Sequence, residues 1–598
     1  MLRGRPPMTD TQALDCPHGS RCGGCAFLGV PYPEQLVQKR VLVERAFARH
    51  PAQSTLRFDA TAGAAPTTFY RARAKLVFDE TGALGLFERD SHRVVDIPEC
   101  RVLALPLTRV AAAARLVLSK AGLDGLDLRL VDRGVLVTLI APRGMPVPEL
   151  IRLAEALKRA CPEVCSVAAS FREANAATVL GTGHVLLTGA EVEAHHLTPK
   201  GPYHFAAPGA FAQVHLGQAN AAHERIERAL QTLGVKRVLE LYAGSGALSL
   251  RLSAAGFEMT AVEAFGPALA HAERAAREQQ LKLTTLSGPA ERVLRELAAR
   301  RATFDALLVN PPRRGLSVEV RRAVAALAPQ ALAYMSCEPE TLARDLGHLR
   351  ELGYAAEALW PFDMIPHSRA VECLVVAKRG PLPAPSVLFE HADFIAVLKS
   401  GYEPVEQDPS VAGSLLERVR QLASASQAVP LPEQWLDLDT SGVCLFAKDA
   451  SRLPALQAAY REGKRTFIAL ARGVSHKRGR IRRPVRDGNR TLTASMRYLR
   501  EGVRGGHSLL TIWPDQAPPA QLRQLLLGVG HPLLGDARFG DAASNTFFEH
   551  RHGLDRSFFH CSAVTLAFPS GHLTLEAALP GELQAVLASL TEQAATPG

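Results

Sequence analysis

From Phe211 to about Lys378 the chain repeats one pattern: apolar strand, glycine or proline turn, amphipathic helix. It opens on a helix, HLGQANAAHERIERALQTLG, and passes through VLELYAGSGALSL, FEMTAVEAF, FDALLVNPPRRGL and ALAYMSCEPETLARDL. A short strand that is apolar on both faces must be covered on both faces. Helices returning between such strands make the strands parallel. The pattern therefore predicts a doubly wound, Rossmann-like sheet, with any ligand at the carboxyl ends of the strands.

Chemistry-bearing residues fall at those strand ends. Gly244 and Gly246 follow the strand VLEL, where a backbone without Cβ can approach a ligand closely. Glu263 ends the next strand and can accept the two hydroxyls of a ribose. The strand DALLV runs into Asn310-Pro311-Pro312-Arg313-Arg314-Gly315. Two prolines there form a rigid lip, the Asn amide can face a cofactor or a base, and the arginines can meet phosphate. Cys337 follows a further strand and precedes a helix, whose N-terminus favours a thiolate. Glu372 stands between the loop DMIPHSRAV and a last strand. Taken singly, Cys337 reads as a core thiol and Glu372 as a surface carboxylate.

Elsewhere, Cys16, Cys22 and Cys25 cluster around a Gly-Gly pair, with Cys100 far downstream. Four thiols so arranged suit tetrahedral zinc or an iron–sulfur cluster. The expected domains are a cluster-bearing region at 12–103, a small α+β RNA-binding domain at 104–204, the doubly wound domain at 205–380, and a strand-rich domain at 387–590. GPLPAPS would be a stiff linker before the last domain. Charge is uneven. Between Arg461 and Arg500 lie 13 Lys and Arg against two acids, a local net of +11 in a chain whose total is +10. That density predicts an arm for a polyanion. No secretory h-region or membrane-length apolar run is visible, so the expectation is a soluble cytoplasmic protein with no membrane and no obligate protein partner.

In combination and in order, CGGCAFLGVPYPEQLVQK, FYRARAKLVF, FAQ, LELYAGSG, VNPPRRG, SCEPETLARDL and FDMIPHSRAVE resemble the bacterial RNA uracil-C5 methyltransferases. The likeness covers about residues 12–380. It points to the 23S rRNA branch that carries an iron–sulfur cluster and lacks an N-terminal OB-type domain. The resemblance implies a class I methyltransferase with S-adenosylmethionine bound by Gln213, Tyr242, Glu263 and Asn310. It implies a [4Fe–4S] cluster on Cys16, Cys22, Cys25 and Cys100, Cys337 as nucleophile and Glu372 as base. Uracil C5 is a weak nucleophile unless a thiolate first adds to C6, and a base must later remove the C5 proton, so one Cys and one base are needed. An N6-adenine enzyme shares the NPP motif but needs no thiol. The implied substrate is a 23S rRNA hairpin loop.

Residues 387–590 resemble a different family, the RluA-type pseudouridine synthases, with a mixed antiparallel fold. The segments are QWLDLDTSG, GKRTFIALARG, PAQLRQLLLGVGHPLLGDARFGD and FFHCSAVTLAFP. The resemblance makes Asp437 the nucleophile and Arg523 its partner, and implies isomerisation of a nearby uridine. Three departures stand against it. Gln434-Trp435 replaces His-Arg, Phe467 replaces a Tyr, and Ala517-Pro518-Pro519-Ala520 replaces Gly-Arg-Thr-His. The alternative is a synthase-like domain that only binds RNA.

Overall fold

The computed structural model describes residues 13–50, 55–89, 91–173, 180–408, 413–487, 490–515 and 517–594. An eight-stranded sheet runs in the order Arg57–Phe58, Tyr354–Phe362, Glu372–Arg379, Ala331–Ser336, Ala306–Val309, Arg237–Leu241, Glu258–Glu263, Leu283–Ser287. Its neighbours are parallel except where Glu372–Arg379 pairs antiparallel on both sides. Burial on both faces is real. Leu307 and Val309 enter one apolar cluster, and Ala306 and Leu308, one residue out of phase, enter another. The strand order reverses between Arg237–Leu241 and Ala306–Val309, which makes their carboxyl ends the switch point of the sheet.

A seven-stranded sheet joins Val94–Asp96, Leu84–Phe87 and Arg73–Phe78 to Gly125–Val131, Gly134–Pro142, Val164–Arg172 and Thr182–Thr188. Helices Leu105–Leu118 and Val147–Ala160 share its core. The boundary expected at 103/104 thus falls inside one sheet, because Arg73–Phe78 pairs with Gly125–Val131. Residues before it divide between two bodies. Helix Tyr32–Ala48 and strand Arg57–Phe58 pack on the eight-stranded sheet, through Val43, Ala46 and Phe47. Turn-rich composition hid this division, since pairing between distant strands leaves no local mark on the sequence.

The last domain is a ten-stranded, mainly antiparallel sheet with one parallel register, Ser441↔His560. Its basic segment forms a hairpin of Arg478–Asp487 and Arg490–Arg504. Ile481, Val485, Ala494 and Met496 are buried, while Arg480 and Arg497 are about two-thirds exposed. GPLPAPS is strapped rather than free. The Arg418 guanidinium donates to the carbonyls of Pro383 (2.9 Å) and Ala384 (3.2 Å), and Gly380 N–H donates to Gly353 (2.7 Å). No helix among the described residues is long and apolar enough to cross a membrane.

Candidate active site

Sheet register brings the predicted residues together. Leu241 pairs with Val309 and with Val262, so Tyr242, Asn310 and Glu263 leave adjacent strand ends. Ser336 pairs antiparallel with Cys373, so Cys337 and Glu372 meet at the ends of their strands. Gln213 precedes helix Leu216–Thr232. All six line one cavity of about 660 Å³, together with Gly244, Pro311, Pro312 and Arg313. The turn is built for it. Tyr242, Gly244 and Gly246 have φ of 61°, 57° and 73°. A Cβ on Gly246 would stand 2.8 Å from that of Ala272. Glu263 accepts N–H bonds from Gly244 (3.0 Å) and Phe265 (2.9 Å), which fixes its carboxylate beside the turn. A carboxylate and bare backbone at the switch point suit a nucleoside cofactor.

The electrostatics differ from the sequence expectation at Cys337. The helix begins at Pro339 and was expected to lower the thiol pKa. Instead burial and the Glu372 carboxylate raise it, with Glu338 adding to them and Arg313 opposing. The side chain is exposed at the cavity surface, yet its surroundings are apolar and acidic. Glu372 is buried, and desolvation pushes it up to about 8. Polar residues not foreseen also line the cavity. His195 and His204 come from the ribbon Glu193–His196/Tyr203–Ala206, His223 from a helix and Glu240 from a strand. Burial holds His195 and His223 down near 4 and lifts Glu240 to about 7. The acid inside the apolar run VLEL was a legible signal for Glu240.

Cys16, Cys22, Cys25 and Cys100 line a separate small cavity with Leu28, Leu86 and Ile97. The thiols are mutual neighbours: burial first, then the other cysteines, raise Cys22 and push Cys25 up to about 12. Crowded thiols that resist ionisation are a donor set that a cationic centre would relieve. Among the described residues, however, no three His, Cys, Asp or Glu side chains stand close enough to hold a metal ion.

In the last domain Arg523 is 3% exposed and holds three carboxylates. It reaches Asp437 at 2.8 Å, Asp439 through two bonds of 2.8 Å, and Asp536 through two of 2.8 and 2.6 Å. Burial works against its charge, but Asp536 and Asp439 outweigh this and hold the guanidinium above its ordinary pKa. The expected pair is thus a cluster; the Asp-Leu-Asp spacing and the Gly-Asp of GHPLLGDARFG were its unread signals. Gln434 is structural: its amide donates to Val443 O (2.7 Å) and accepts from Leu445 N–H (3.0 Å). Trp435 is 42% exposed. Phe467, expected to be able to stack on a base, is 1% exposed and stacks on Phe559 instead. Its strand pairs on both sides, with Ile512 and Cys561, and this closes it into the core.

Comparison with known proteins places this geometry. Residues 206–380 match the family model described as tRNA (uracil-5-)-methyltransferase. An uncharacterized RNA methyltransferase of Geobacter sulfurreducens is 30% identical over 384 residues, which span 61% of this chain and 77% of that protein. The Pyrococcus abyssi tRNA (uracil-54, C5)-methyltransferase, solved with S-adenosyl-L-homocysteine, superposes with a TM-score of 0.49 at 20% identity, over 60% of this chain and 86% of that one. A human RNA pseudouridylate synthase domain-containing protein superposes with a TM-score of 0.30 at 18% identity, over 34% of this chain and 93% of that one. With its doubly wound sheet and its motifs at the switch point, the chain belongs to the RNA methyltransferases of the tRNA (uracil-5-)-methyltransferase family.

Proposed function

We propose that the protein methylates carbon 5 of a uracil in RNA, using S-adenosylmethionine. The observation that carries this is one cavity shared by a thiol, a buried carboxylate and a nucleoside-type turn. Gln213, Tyr242, Glu263 and Asn310 would hold the cofactor, which supplies an electrophilic methyl group on a sulfonium. The Cys337 thiolate adds to C6 of uracil, and the electron pair of the C5–C6 double bond becomes available at C5. C5 takes the methyl group; Glu372 then accepts the C5 proton; the C6–S bond breaks and returns the thiolate. A uracil in a loop fits, because the base must enter a cavity it cannot reach within a helix. Mass-spectrometric mapping of methyluridine in rRNA, with wild-type and Cys337→Ala enzymes, tests it. Methylation that survives Cys337→Ala sinks the mechanism.

The finer reading is a 23S rRNA hairpin loop as substrate and a [4Fe–4S] cluster on Cys16, Cys22, Cys25 and Cys100. The cluster's support is the shared thiol cavity. RNA affinity would come from the basic hairpin, where Arg480, Arg482 and Arg497, with Lys464 of strand Lys464–Ala471, surround a groove of about 830 Å³ beside Trp513. For the last domain we infer isomerisation of a neighbouring uridine, with Asp437 as nucleophile oriented by Arg523. The opposing reading, a domain that binds RNA without reacting, is favoured by the burial of Phe467 and by Trp435 standing in the place of an arginine. Pseudouridine that persists in an Asp437→Asn strain would decide for it.

A further inference from the structure

The lip of the methyltransferase cavity is held from the other domain. Arg313 lines the cavity with Cys337, and the segment it begins is suspended by its backbone. Thr341 hydroxyl donates to Arg313 O (3.0 Å), and Arg344 Nη2 donates to Arg314 O (2.9 Å) and Leu316 O (3.4 Å). Leu316 N–H donates to Asp345 Oδ2 (2.7 Å). Thr341, Arg344 and Asp345 lie on helix Pro339–Glu351, which starts two residues after Cys337.

The same guanidinium faces the C-terminal domain. Arg344 Nη1 donates to Gly553 O (2.9 Å), and its Nε stands 3.5 Å from the Asp555 carboxylate. Arg321, fully buried, pairs with Asp345 (3.2 Å) and with Asp555. Tyr402 hydroxyl donates to Asp555 (2.8 Å), while its ring lies over Arg321 and stacks on His348. The network holds two buried guanidiniums, and Asp345 alone cannot neutralise both. The second charge is Asp555, which belongs to the other domain. Removing one member of a buried pair leaves an uncompensated charge, and the elements bearing it must move. The segment then continues to the Asp437 cluster: Arg556 Nη1 and Ser557 Oγ donate to Asp439 O at 3.2 and 3.0 Å.

We propose that Asp555 is a positioning residue for methyl transfer, setting the Arg313–Leu316 lip over Cys337 through Arg344 and Arg321. The C-terminal domain then contributes to the first reaction whatever its own chemistry. The inference rests on the assignment of reaction to the Cys337 cavity, which Cys337→Ala tests separately.

The experiment compares full-length wild-type, Asp555→Asn and Asp555→Glu proteins in three measurements. They are kcat and KM for RNA methylation, the pH dependence of Cys337 alkylation by iodoacetamide followed on its own peptide, and thermal unfolding. A displaced Arg313 no longer favours the thiolate. The alkylation midpoint of Asp555→Asn should therefore move to higher pH and kcat should fall roughly ten- to a hundredfold. KM for S-adenosylmethionine should stay within about twofold, since Gln213, Tyr242 and Glu263 lie on other segments and Asn310 stands before the lip at the end of strand Ala306–Val309, and Asp555→Glu should recover most of the loss. A folded Asp555→Asn protein with wild-type kcat and a wild-type alkylation midpoint, lower only in Tm, overturns the proposal. If Asp555→Asn does not fold, Tyr402→Phe removes one hydrogen bond to the same carboxylate. It should shift both readouts in the same direction, and an unmoved midpoint overturns the proposal equally.

Discussion

Glu372 and Cys337 both sit above their ordinary pKa: burial raises Glu372, and burial together with the Glu372 carboxylate raises Cys337. A base that must accept a proton has to be ionised first. Methyl-transfer kcat/KM should therefore climb with pH towards the Glu372 value of about 8, with little activity near pH 6. A profile flat from pH 6 to 9 would contradict this. The same shift has a thermodynamic sign. Its ordinary value is 4.5, so the folded state binds the extra proton between that pH and about 8. Stability from this group is full below 4.5 and lost as pH rises through 8. Glu372→Gln should thus be more stable than wild type at pH 8.5, by on the order of a few kcal/mol, and show no gain at pH 4. Its activity should fall roughly 10²- to 10⁴-fold. Calorimetry and methyl-transfer assays on one preparation check both.

Two elements carry the proposed recognition. In the turn Tyr242–Gly246 the backbone is left-handed at Tyr242, Gly244 and Gly246, and Gly246 also has no room for a side chain. Gly246→Val should therefore weaken S-adenosylmethionine binding by roughly tenfold or more, read by isothermal titration. Unchanged affinity would mean that the turn does not shape the cofactor site. The hairpin Arg478–Asp487/Arg490–Arg504 is sorted by its alternation: Ile481, Val485, Ala494 and Met496 go under, while the Arg480 and Arg482 side chains line the groove. The double variant Arg480→Glu, Arg482→Glu should weaken RNA binding and lower the slope of log K against log salt by roughly 1.5, about 0.7 for each lost phosphate contact. A slope equal to wild type would exclude the groove. The sequence showed this segment only as a density of charge. Which arginines face the groove was not legible, because this follows from register across the hairpin.

The whole molecule is held by charge as well as by apolar contact. Arg321, Arg344, Asp345 and Asp555 are buried between the doubly wound and C-terminal domains, and Arg49 pairs with Glu340 near the same helix. Arg556 pairs with Glu582 beneath them. The domains should accordingly unfold in one calorimetric transition, and Arg321→Met should cost about 3–5 kcal/mol and separate it into two. Two transitions in wild type would show the interface to be weak.

The sequence by itself determined the doubly wound sheet and the order of its strand-end residues. Runs such as ALLV and ALAYM are apolar throughout and need covering on both faces, which helices supply. Motifs such as NPPRRG therefore arrive at the carboxyl end of the sheet by necessity. It also carried the four thiols and the Asp437–Arg523 pairing as residue types in a fixed order. Only the tertiary structure decided what these residues feel. Cys337 follows a strand and precedes a helix, which argues for a lowered pKa, but burial raises it and the antiparallel strand Glu372–Arg379 adds a carboxylate against it. Phe467 occupies a motif position yet lies in a core closed by strands on both sides. Asp555 belongs to no motif singled out in the sequence, and it balances an arginine more than two hundred residues away. Local pattern records what a segment must bury. Electrostatics and register depend on neighbours that are distant in the chain, and these exist only once the chain has folded.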